Sequence, residues 1–91
     1  MSVEYTLLRK DNNSHITVDN YREISARINE AFPEKGSIPV NKMGERIRET
    51  YGINGSAFNI YYRENEAKIC ISEKSEKSIK EKLESLGLKC Q

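Results

Sequence analysis

Two short runs that alternate apolar and polar residues constrain this chain most. The first is Phe58-Asn59-Ile60-Tyr61-Tyr62-Arg63 and the second is Ala67-Lys68-Ile69-Cys70-Ile71-Ser72. Successive strand side chains point to opposite faces, so this alternation, rich in β-branched and aromatic residues, predicts strands with one buried face. The pair predicts a β-hairpin over residues 57–64 and 67–72 around a two-residue turn at Asn65-Glu66. That register sets Tyr62 opposite Ile69 and Ile60 opposite Ile71, apolar against apolar. Tyr61 then faces away from the core beside Arg63, with Arg63 opposite Lys68 and Tyr61 opposite Cys70. An aromatic ring flanked by cations is a workable platform for a single-stranded base and its phosphate. The other reading of Tyr61 is packing against a helix or loop.

Size and charge narrow the classes. Ninety-one residues, 36% hydrophobic and 32% charged, predict one compact domain over 1–91 with a modest core. Lys and Arg number 15 against 14 Asp and Glu, and both signs are mixed along the whole chain. A strong electrostatic footprint for duplex DNA is therefore missing. No apolar run approaches a membrane span, and no secretory signal opens the sequence. The expected location is cytoplasmic, with Cys70 and Cys90 as free thiols.

Other elements follow from spacing. Val3–Leu8 reads as a strand, and His15–Val18 as a short second one after the turn Asp11-Asn12-Asn13-Ser14. Asp19 is placed to cap a helix over 19–32 whose stripe is Tyr21, Ile24, Ile28, Ala31 and Phe32, ended by Pro33. Val40, Met43, Ile47 and Tyr51 lie three, four and four apart, which predicts a second helix over 41–51. Its outer stripe carries Lys42, Arg46 and Glu49, with Arg48 to one side, a candidate phosphate-contacting patch. Ile79, Leu83 and Leu86 predict a helix over 74–86, capped by Ser72 or Ser75 and terminated at Gly87. Leu88–Cys90 is a candidate final strand.

Catalytic and metal chemistry find little support. His15 is the only histidine, and no carboxylate or cysteine sits near it at ligand spacing. There is no CxxC pair, no GxSxG and no glycine-rich phosphate loop. The expectation is a non-enzyme without metal or cofactor.

The helix at Tyr21–Phe32 and the run Lys35-Gly36-Ser37-Ile38-Pro39-Val40-Asn41-Lys42-Met43-Gly44-Glu45-Arg46-Ile47-Arg48-Glu49-Thr50-Tyr51-Gly52 carry a resemblance. Through Gly, Val, Met-Gly and Ile at their spacing, residues 20–52 resemble the front half of an OST-HTH/LOTUS domain. The resemblance implies a winged-helix-like module, with helix 41–51 as a surface for RNA or a protein partner.

The expected fold is α+β: a small, mostly antiparallel sheet of three to five strands with about three helices. If Leu88–Cys90 pairs in, the order becomes ferredoxin-like with an extra helix. The first functional expectation is a small non-enzymatic protein-binding module, an inhibitor or adaptor of phage or accessory type that occludes its partner. The alternative is nucleic-acid binding through Tyr61, Arg63 and Lys68 on the sheet, or through Lys42, Arg46 and Arg48. Clustering of the cations in space favours the alternative, and an exposed apolar patch favours the first.

Overall fold

Period-two alternation extends well beyond one hairpin. The computed structural model describes residues 2–32, 34–35, 41–43, 46–53 and 55–91. Its elements are β1 (Ser2–Arg9), α1 (Tyr21–Ala31), β2 (Glu34–Lys35), β3 (Asn41–Met43), β4 (Arg46–Ile53), β5 (Ser56–Tyr62), β6 (Ala67–Ser72), α2 (Glu76–Ser85) and β7 (Leu88–Cys90). The strands form one seven-stranded antiparallel sheet in the order β2-β4-β5-β6-β1-β7, with β3 also on β4. The expected α+β class with an antiparallel sheet is present. The sheet is larger than three to five strands, and two helices rather than three occur among the described residues. No helix among them is long and apolar enough to cross a membrane.

One face of the sheet carries the core. Leu7, Tyr51, Phe58, Ile60, Tyr62, Ile69, Ile71 and Leu88 are buried there, and α1 adds Ile24 and Ile28 while α2 adds Ile79 and Leu83. Both helices therefore lie on the same side. Phe32, at the end of α1, meets Phe58 edge-on at 4.9 Å between ring centres, and Tyr51 stacks on Phe58 at 5.6 Å. Tyr62 lies 4.7 Å from the ring of Tyr21. Offset and edge-on contacts are the favoured aromatic geometries.

The predicted helix over 41–51 is strand in β3 and β4. Ile47 and Tyr51 are four apart, a spacing that puts two residues on one face of a helix and of a strand alike. What decides between them is Glu49 between the two, buried on the same face as both. Thr50, Tyr51 and Ile53 add strand preference. The patch of Lys42, Arg46 and Arg48 is thus not a helix surface. In the β3–β4 ladder Lys42 pairs with Ile47, Arg46 with Met43 and Arg48 with Asn41. Only α1 remains of the helices implied over 20–52. Gly44 and residues 36–40 lie outside the described residues, as does Pro33.

The hairpin forms, two residues out of the expected register. Ile60 faces Ile69, Tyr62 faces Ala67, Tyr61 faces Lys68 and Asn59 faces Cys70. The two-residue turn is Glu64-Asn65, closed by the Arg63 N–H on the Glu66 carbonyl at 2.8 Å. An even shift keeps every side chain on its expected face, and the displaced turn leaves Arg63 facing Glu66 rather than Lys68.

Smaller corrections concern ends and caps. Residues 15–18 form no strand; His15 makes a single bridge to Leu8. Asn20, not Asp19, precedes α1, and its side chain accepts the Thr17 N–H instead of capping. Asn13 takes the left-handed conformation, φ 56°, in the turn after β1, as does Gly87, φ 85°, after α2; asparagine and glycine tolerate it best. Leu88–Cys90 does join the sheet, on β1.

Ile69 is fully buried at the centre of this sheet. Ile69→Ala should cost about 2–5 kcal/mol in chemical denaturation. A loss below about 0.5 kcal/mol, the range of surface substitutions, would contradict the burial of this face.

Candidate functional site

The face opposite the helices is composed of the alternate residues of the same strands. Arg48 on β4, Tyr61 on β5, Lys68 on β6 and Thr6 on β1 are successive ladder partners, forming one row across four strands. Thr50, Asn59, Cys70 and Glu4 form the next row. Adjacent strands lie about 4.8 Å apart, so Arg48 and Lys68 flank Tyr61 about 10 Å from one another at the backbone. Arg48, Tyr61 and Lys68 are all half-buried, as strand neighbours lean on one another. Among the described residues no helix covers them.

The polar contacts on this face are local. Lys68 Nζ donates to Thr6 Oγ1 at 2.8 Å and lies 3.6 Å from Glu66. Glu66 also lies 3.9 Å from Arg63. Thr50 donates to Asn59 at 2.6 Å. The expected group of Tyr61, Arg63 and Lys68 is therefore together, and Arg48 joins it from β4. Lys42 and Arg46 are placed only by their ladder positions.

Cys70 lies in the second row, its Sγ 3.6 Å from Glu4. Burial, then the Glu4 carboxylate, raises its pKa, which keeps the sulfur a thiol and a poor nucleophile. Cys90 pairs with Leu7, on the core side of the sheet, and burial pushes it up to about 11. The two thiols are free. They sit on opposite faces with β1 between their strands, beyond disulfide reach. His15 is exposed. Among the described residues no group of three or more His, Cys, Asp or Glu could hold a metal ion.

A second polar group went unseen in the sequence. Glu49 is 8% exposed on the core side of β4. Its carboxylate accepts from Ser25 Oγ at 2.8 Å and from Tyr51 OH at 2.8 Å, while Asn29 donates to Tyr51 OH at 3.2 Å. Burial, with the Glu49 carboxylate adding to it, holds the hydroxyls of Tyr51 and Tyr62 well above the ordinary tyrosine value. This network is closed under α1 and ties that helix to β4. The signal was a glutamate at period two between Ile47 and Tyr51, legible only once the segment is read as strand.

Ser25→Ala leaves Glu49 short of a donor and should cost about 1–3 kcal/mol, read as a lowered denaturation midpoint with an unchanged slope. Alkali should act through the raised groups. For Cys90, stability present below the ordinary thiol value is lost as pH rises through about 11, since the unfolded chain ionises first. Tyr51 and Tyr62 extend that loss upward. Denaturation midpoints that hold constant from pH 9 to 11 would contradict it. In protein purified without reductant, two thiols should titrate on unfolding, and a Cys70–Cys90 disulfide would contradict the sheet order.

Compared with protein-family models, curated proteins and solved structures, the chain matches none.

Proposed function

We propose that the open sheet face binds single-stranded nucleic acid, with Tyr61 stacking a base and Arg48 and Lys68 receiving the flanking phosphates. The observation that carries this reading is the Arg48–Tyr61–Lys68 row, which sets a cation on the strand to either side of one aromatic residue. Stacking on aromatics combined with backbone-tracking cations is how sequence-tolerant single-strand sites are built. Balanced net charge agrees with a local patch rather than a duplex footprint. The strand order β5-β6-β1-β7, with α1 after β1 and α2 between β6 and β7, we read as ferredoxin-like, extended by β4 and its edge partners. Such a sheet leaves one face free of helices, but fold alone assigns no function. The role proposed is binding, without a catalytic step.

A second reading keeps the same face and changes the ligand to a protein that the domain occludes. It draws on Glu66, which lies near both Arg63 and Lys68 and offsets their charge.

Fluorescence anisotropy with single-stranded RNA and DNA, at about 0.15 M salt where exposed charges are screened beyond roughly 8 Å, separates the two. Tyr61→Ala should weaken binding by about 1–3 kcal/mol with the melting transition little changed. Lys68→Ala and Arg48→Ala should each lower the salt slope by about one. Absent binding, or binding indifferent to Tyr61, would sink the nucleic-acid reading and leave the protein partner to be sought by pull-down.

A further inference from the structure

The far side of the molecule holds an open cavity of about 400 Å³, lined by Arg9, Lys10, Asp11, Glu23, Arg27 and Gly87. Its volume falls in the range of small-ligand sites. Arg9 ends β1, Lys10 and Asp11 begin the following turn, and Glu23 and Arg27 are one helical turn apart on α1. Gly87 follows α2, and the Lys10 N–H donates to its carbonyl at 2.9 Å, which joins two walls of the cavity. A Cβ at Gly87 would meet no atom within 4 Å, so that wall is open space.

Three cations converge on this cavity from two parts of the chain. Arg27 is oriented: one terminal nitrogen lies 2.6 Å from Glu23 and the other 3.5 Å from the Leu86 carbonyl. A guanidinium carries five N–H donors, so most remain to face a ligand. Glu23 is engaged by Arg27, whereas Asp11 stands in the cavity as a like charge to any anion. The balance of lining charges is one positive. A compact, strongly accepting anion suits this set better than a carboxylate would, because Arg and Lys meet three oxygens at once.

We propose that the cavity binds a phosphate monoester, carried either by a small molecule or by the 5′ end of a nucleic-acid strand. This site is separate from the sheet face, so either can fail alone. The test is an amide chemical-shift titration of the whole chain with inorganic phosphate and ribose 5-phosphate. Saturating shifts are expected at Lys10, Arg27 and Gly87, with Tyr61 and Lys68 unmoved. Arg27→Gln and Arg9→Gln should each weaken binding about two- to fivefold, the range of exposed charge pairs. Asp11→Asn should tighten it by a similar factor. Loss of binding in Asp11→Asn would mean that the acids hold a cation, and would overturn the proposal. So would shifts that never saturate, or that spread over every basic residue. A short oligonucleotide with and without a 5′ phosphate separates the sources. Additional shifts in the cavity from the phosphorylated strand alone assign a strand end, and ribose 5-phosphate binding without that difference assigns a small molecule.

Discussion

Burial of the sheet face under the helices is the constraint on which the other features depend. Ile47 pairs with Tyr62, Tyr51 with Phe58, Ile60 with Ile69 and Val3 with Ile71, and each pair lies under the helices. Sliding any of these strands by one residue would turn its apolar set to water and its polar set into the core. The open face inherits its geometry from that penalty. Arg48, Tyr61 and Lys68 stand in one row because the residues on either side of each are needed below. The proposed binding row thus stands on a foundation that a ligand cannot easily rearrange.

Much of this was legible in the residues. The alternation of 58–62 and 67–72 specified two strands and their faces, and the stripes at Ile24 and Ile28 and at Ile79 and Leu83 specified both helices. Turn placement was not legible, because Glu64-Asn65 and Asn65-Glu66 are equally weak turn signals and differ by an even register shift. β4 was misread because Ile47 and Tyr51 satisfy both periods, while a buried glutamate hides the alternation between them. The site was legible to the extent that Tyr61, Arg63 and Lys68 lie on one hairpin. Arg48 could be added to the row only through the β4–β5 ladder.

Glu49 explains why that segment resists a propensity argument. A carboxylate inside a core is costly unless its oxygens are satisfied, and here hydroxyls from α1 and β4 itself satisfy them. The donors are brought together by tertiary structure, since Ser25 is 24 residues away. Such a network is harder to swap piecemeal than an apolar contact, because each deletion leaves a buried group unpaired. It fixes how α1 sits over β4, and through α1 the position of Arg27 at the cavity.

The place of β1 in the sheet sets an order of events. It is first in the sequence, yet its neighbours are β6 and β7, with Ser2 against Ser72 and Arg9 against Leu88. The meander from β4 to β6 closes through short turns and carries its own apolar face. Local closure is entropically cheap and distant pairing is not. During synthesis β1 emerges before both strands that flank it, and its pairing waits until β6 and β7 have followed. Its buried residues, Leu7 and Leu8, are the part of this domain that a chaperone or an aggregate would meet first.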